Sequence, residues 1–234
     1  MERRVLITGA SRGIGLELAR LYAASGALVF AACRDPARAA HRSEPVVVVP
    51  LDVTDGASIA AAVERVSARV DALDLLVNNA GVYPGSVAAQ LAATTRLGAL
   101  DGGAMLEVFR VNTVAPVIVA QAFAPLLRRG AVPRLVNVSS DAGSLARRDK
   151  GCNYTYPASK AALNMMTRCL AGDLAADGVI VVSVHPGFVR TDMGGPAAPR
   201  DPGETLPSLV RVIDGLTLAD TGLFFNWDGT PVAW

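Results

Sequence analysis

Val46-Val47-Val48-Val49 is a run of four β-branched residues with no polar face to turn toward water, and it suits only a strand covered on both sides. Short apolar runs of this kind recur at residues 5–7, 28–32, 75–77, 135–138, 179–184 and 223–225, with helical stretches between them. Seven such strands alternating with helices predict an α/β fold: a Rossmann-type doubly wound parallel sheet with helices on both faces. Only the dozen residues 34–45 separate the second and third strands, about the minimum for a parallel crossover. Any helix there is vestigial, with Asp35-Pro36 as its N-cap and first residue. The longest helices are expected over about 104–128 and about 156–176. The proline- and glycine-rich residues 194–207 read as a loop over the carboxyl ends of the strands, a substrate lid at about 190–210.

No linker or charge block divides the 234 residues, so 1–234 reads as a single domain. A net charge of +1 with scattered basic residues leaves no footprint for nucleic acid. The three cysteines lack any Cys-x-x-Cys pairing, so neither a zinc site nor a disulfide framework is expected, and no metal is called for. A strand follows Met-Glu-Arg-Arg directly and no apolar run approaches 18 residues, which gives the expectation of a cytoplasmic chain with no membrane partner.

Two local patterns carry chemistry. Thr8-Gly9-Ala10-Ser11-Arg12-Gly13-Ile14-Gly15 follows the first strand and opens a helix, where a pyrophosphate finds free backbone N–H groups. Its glycines fall as G-x-x-x-G-x-G, not the common dinucleotide fingerprint, and such a turn alone also serves packing. Tyr156 and Lys160 stand one helical turn apart and share a face. Bringing a tyrosine from about 10 to about 7 takes roughly 4 kcal/mol, which one cation at about 4 Å in an effective dielectric near 20 supplies. The pair therefore points to a dinucleotide-dependent oxidoreductase. Only two of the 22 basic residues are lysines, Lys150 and Lys160, so a lysine at this spacing is less readily a casual surface charge. Tyr154 has Ala158 at the same spacing and reads as a packing or pocket residue. Neither histidine, His41 nor His185, is placed to activate a serine nucleophile, and no G-x-S-x-G elbow exists.

Thr-Gly-x-x-x-Gly-x-Gly, Asn78-Asn79-Ala80-Gly81, Ser140, Tyr156-x-x-x-Lys160 and Pro186-Gly187, in that order over essentially the whole chain, resemble the short-chain dehydrogenase/reductase family. The ending Phe225-Asn226-Trp227-Asp228-Gly229 is similar to the subgroup related to C-factor and the sniffer-type carbonyl reductases. The resemblance implies that Asn112, Ser140, Tyr156 and Lys160 are catalytic. Of the adjacent Ser139 and Ser140, only one can meet a substrate carbonyl, and the resemblance selects Ser140. It also implies a water held by Asn112, whose carbonyl Pro116 leaves without its helical donor; the plain alternative is a kink at Pro116. Cofactor contacts are implied at Gly9, Ser11, Arg12, Gly13, Ile14, Gly15, Asp52, Val53, Asn79, Ala80, Gly81, Tyr156, Lys160, Pro186, Gly187, Val189 and Thr191.

Relatives specific for NAD place a carboxylate after the second strand, where this chain has Cys33-Arg34. Arg34 with Arg12 suits a 2′-phosphate, so NADP(H) is expected over NAD(H), unless Asp35 turns to the ribose. The expected function is NADPH-dependent hydride transfer to or from a ketone, aldehyde or alcohol; the alternative is a dinucleotide-binding signalling or interaction protein of C-factor type. A homo-oligomer, dimer or tetramer, is implied through the long central helices, with the apolar stretch 117–127 permitting it. Arg147, Arg148 and Lys150 could greet an anionic substrate or simply be solvated, and residues 82–103 border the expected pocket.

Overall fold

The computed structural model describes residues 2–39, 46–84, 95–149, 151 and 153–234. His41, Lys150, Cys152 and residues 85–94 of the expected pocket border at 82–103 lie outside the described residues. Seven strands form one sheet: β1 (Arg4–Thr8), β2 (Leu28–Cys33), β3 (Val46–Pro50), β4 (Leu75–Asn78), β5 (Arg134–Val138), β6 (Ile180–His185) and β7 (Phe224–Asn226). Their order is β3-β2-β1-β4-β5-β6-β7, and all neighbours pair in parallel.

Each strand sends alternate residues to opposite cores. Leu6, Phe30, Leu76, Leu135 and Val181 pack one way, against Ile59 and Val66 of α2 (Gly56–Ser67), Val119 and Phe123 of α3 (Gly102–Leu127), and Leu174 of α4 (Thr155–Leu174). Val5, Ile7, Val29, Val136 and Val182 pack the other way, against Leu18 and Tyr22 of α1 (Gly13–Ala24) and Leu206, Leu209 and Ile213 of α5 (Pro202–Gly215). The expected fold stands, and the two-sided burial explains the unbroken apolar runs. By length and hydropathy alone α3 could cross a membrane, yet its buried residues, Val119, Phe123 and Leu127 among them, cover the sheet.

Asp35 caps a single 3₁₀ turn, Pro36–Arg38, by accepting from the Ala37 N–H at 3.1 Å, as Asp35-Pro36 suggested. Pro116 produces no sharp break: Arg110–Val114 form a π-turn inside α3, closed by the Ala115 N–H on the Arg110 carbonyl. The lid expectation needs a correction. Residues 194–207 are not one loop, because α5 begins at Pro202, with Asp201 capping Gly203 at 2.8 Å and Pro202 preset for the first helical position. Before it, the Arg190 N–H on the Arg200 carbonyl at 2.9 Å pins the loop at its neck.

The order of strands reverses beside β1: β2 and β3 lie on one side, β4 to β7 on the other. A crevice opens above the carboxyl ends at such a switch point, and the motifs converge there.

Candidate active site

The glycine turn forms one end of a cleft of about 1260 Å³ that runs to Tyr156 and Lys160. Gly9 has φ 65°, and a Cβ on it would sit 2.8 Å from the Ala80 Cα. Asn79 donates to the Thr8 and Gly9 carbonyls at 2.9 and 3.1 Å, while the Thr8 hydroxyl accepts from the Asn79 and Ala80 N–H groups at 3.0 Å each. The Asn79 amide nitrogen therefore braces the turn, and Asn79, Ala80 and Gly81 all line the cleft. α1 starts without a side-chain cap and without an acid in its first turn. Its leading N–H groups and positive dipole end face the cleft, as an anion would need.

Farther along, Arg34 lines the cleft and is exposed. Asp35 lines the cleft as well, with its Oδ1 accepting from the Ala37 N–H as the cap. Asp52 is folded onto Thr54, accepting from its N–H at 2.9 Å and its hydroxyl at 2.7 Å. Burial alone would raise the Asp52 pKa, but those bonds, with Arg34 and Arg110 nearby, hold it low. Arg12 pairs with Asp192 at 2.7 Å across the cleft mouth. Ser11, Gly13, Ile14, Val53, Pro186, Gly187, Val189 and Thr191 all line the same cleft.

At the other end, α4 presents Tyr156 and Lys160 as the helical spacing required. Ser139 gives its hydroxyl proton to Asn164, at 2.6 Å. Ser140 faces the cleft, accepts from the Ala142 N–H at 3.1 Å and lies on the side of the Tyr156 phenol, whose pKa it lowers. Gly143 makes this closeness possible, because a Cβ there would lie 2.7 Å from the Lys160 carbonyl carbon.

The electrostatics correct the expectation for Tyr156. Burial pushes its pKa up to about 12, against the lowering contribution of the Ser140 hydrogen bond. Lys160 donates to the Val138 carbonyl at 2.9 Å and stands 5.7 Å from the centre of the phenol ring. Burial brings the lysine itself down to about 8. Desolvation of a phenolate outweighs what a cation turned to a backbone carbonyl gives back.

Asn112 is fully buried. Its amide exchanges two 2.8 Å bonds with the Val82 backbone and donates to Ser159 at 3.1 Å. It fastens the chain after β4, so Asn112→Leu would strand Val82 as well as test any relay.

Sequence reading missed Tyr83, whose ring centre lies 5.6 Å from that of Tyr156 and whose hydroxyl accepts from Asn153 at 2.7 Å. It also missed Asp141, Phe188 and Met193 on the cleft wall, and gave His185 no part there. Nothing in spacing marks Tyr83; Phe188 and Met193 carried a signal as large apolar residues in a proline- and glycine-rich stretch. Tyr154 borders a separate shallow groove with Leu145 and Pro157. Arg147 and Arg148 do not line the cleft, and Arg148 donates to the Ala142 carbonyl at 2.8 Å.

Comparison with known proteins agrees with this geometry. The family model for short chain dehydrogenase matches residues 3–201. C-signal of Myxococcus xanthus is 43% identical over 162 residues, 69% of this chain and 93% of the relative. An NADPH-bound carbonyl reductase from chicken fatty liver superposes with a TM-score of 0.89 at 37% identity, over 100% of this chain and 99% of that one. The carbonyl reductase Sniffer of D. melanogaster gives a TM-score of 0.91 at 31% identity, over 100% of both chains. With its glycine turn, its Ser140, Tyr156 and Lys160 in one cleft and these relatives, the chain belongs to the short-chain dehydrogenase family.

Proposed function

We propose that this protein reduces a ketone or aldehyde using NADPH. The observation that carries the reading is one cleft joining an uncapped helix start, two arginines and the side chains of Ser140, Tyr156 and Lys160. NADPH bound along it supplies a hydride to the carbonyl carbon. The residues fit that group: Gly9 and Gly13 line the cleft at the start of α1, where free N–H groups suit phosphates, and Arg12 and Arg34 suit a 2′-phosphate. Ser140 holds the carbonyl oxygen, Tyr156 gives it a proton, and Lys160 reaches toward the ribose. A phenol held near 12 is fully protonated at neutral pH, the form needed for reduction. A water at the Asn112 carbonyl would lead protons back to this group; Pro116, four residues on, has no N–H to give that carbonyl.

Cofactor choice is tested without a substrate. NADPH at 100 times its dissociation constant should add about 2.7 kcal/mol of stability, read as a raised thermal midpoint. NADH should shift it less, and Arg34→Ala should lose about tenfold in affinity for NADPH alone, the size of one charge-assisted contact. Equal losses for both cofactors would remove Arg34 from the 2′-phosphate.

Similarity to C-signal keeps a signalling reading in view. A Tyr156→Phe variant that binds NADPH and retains the biological effect would favour it over flux through the site.

The protein also pairs with a second copy, in our reading through α3 and α4. Most of stretch 117–127 is core, which moves the expected contact: the apolar side chains facing solvent are Leu106, Val114 and Ile118 on α3 and Met165 and Met166 on α4. Leu106→Glu combined with Met165→Glu should halve the mass seen by sedimentation. A wild-type monomer at micromolar concentration would refute the pairing.

A further inference from the structure

Ser140 is tied to more than the phenol. Its hydroxyl lies 3.3 Å from Asp141 Oδ1, and that same oxygen lies 3.6 Å from His185 Nε2. Tyr156 on α4, Ser140 and Asp141 beyond β5, and His185 at the end of β6 thus form one chain of polar side chains in the cleft wall. A serine hydroxyl has one proton. Given to Asp141, that proton is withheld from a substrate oxygen, so the carboxylate competes with the carbonyl for Ser140.

The two nitrogens of His185 are unequal. Nδ1 is buried with no hydrogen-bond partner among the described residues, so the neutral ring keeps its proton on Nε2, toward Asp141. Asp141 is half-exposed, whereas His185 is mostly covered. Burial holds the His185 pKa below its usual 6.5; Asp141 works against that, and Arg147 and Arg200 add to the lowering. These three are the charged groups that face the ring, from the turn after β5, the segment following it and the loop before α5.

We propose that Asp141 and His185 are positioning residues that govern how fully Ser140 offers its proton to a substrate carbonyl. The inference rests on the carbonyl-reduction reading above. When His185 becomes protonated, its contact with Asp141 becomes a charged pair. The carboxylate is then a poorer acceptor for Ser140, whose hydroxyl turns to the substrate oxygen. No bond other than those to protons forms or breaks. The kcat/KM for reduction therefore rises as pH falls through the His185 pKa and is level above it.

The experiment is a kcat/KM profile from about pH 5 to about pH 8 for wild type, Asp141→Asn and His185→Gln, with proton NMR of the histidines in these variants and in Ser140→Ala. Wild type should gain about fivefold on the acid side, the worth of one competing hydrogen bond. Asp141→Asn should sit at the higher level throughout and His185→Gln at the lower, with unchanged thermal midpoints. The chain has two histidines, so the His185 resonance is the one that His185→Gln removes. Its pKa should fall in Asp141→Asn and rise in Ser140→Ala, where Asp141 loses a rival donor. An acid rise that survives in both variants, or a His185 pKa that Ser140→Ala leaves in place, overturns the proposal. Absence of any carbonyl reduction by wild type would count against the functional reading alone, and the NMR titration would still decide the coupling.

Discussion

Tyr156→Phe should lower kcat with any carbonyl substrate by about a thousandfold, the scale of a lost general acid, and leave NADPH binding intact. Only one oxygen is removed. The ring keeps its tilted contact with Tyr83 at 5.6 Å and its place beneath Lys160. Lys160 keeps its bond to the Val138 carbonyl, so the ribose side of the site is undisturbed. The NADPH-induced rise in thermal midpoint should therefore match wild type while turnover collapses. A variant that kept more than about a tenth of wild-type kcat would assign the proton to another donor, since a general acid is worth at least about a hundredfold.

Gly143→Ala should be damaging in a different way. A Cβ at this position meets backbone, at 2.7 Å from the Lys160 carbonyl carbon and 2.8 Å from the Ala161 nitrogen. Backbone cannot swing aside as a side chain does, so the turn must lift from α4. Overpacking of this kind costs about 1–3 kcal/mol. The Gly143 N–H also bonds the Ser140 carbonyl at 2.9 Å, so the lift carries Ser140 away from Tyr156. A displacement near 1 Å costs about a hundredfold in rate, and kcat is expected to fall by that order with cofactor affinity preserved. Gly172→Ala is the contrast: nothing lies within 4 Å of its added methyl. On α4, far along the same helix, it should stabilise by about 1 kcal/mol and leave kcat alone. Equal, mild effects of the two substitutions would mean that the approach at Gly143 is not what sets the site.

All seven strands were legible because burial on both faces leaves no polar residue to blur a run such as 75–77, and even the half-buried edge run 46–49 is wholly apolar; the ends fall within a residue or so of the observed ones. The Tyr156–Lys160 face was legible because helical spacing alone makes it. Less visible was the use to which each amide is put. Asn79 and Asn112 look alike as candidates for a ligand, but both are consumed by backbone groups from distant segments. Whether an amide meets a ligand or a neighbouring chain depends on which backbone groups tertiary packing leaves unpaired. The pKa of Tyr156 was misjudged for a related reason: a pairwise attraction can be written from spacing, while desolvation needs the whole enclosure. Pro202 misled by composition, since a proline that suggests a loop is equally at home as the first residue of a helix.

A buried polar rung crosses the sheet beneath the cleft. Asn78 donates to Asn137 at 2.9 Å, Asn137 to Thr167 at 2.9 Å, and Thr167 lies 2.9 Å from Ser183. These residues sit on β4, β5, α4 and β6, where an apolar set would pack as well but would tolerate sliding. A one-residue slip of β5 would move Ser140 by about 3.3 Å and exchange its direction with that of Ser139. Two chemically identical serines are thus told apart by a ruler laid inside the protein, its mark at Asn137, three residues before the hydroxyl that it aligns.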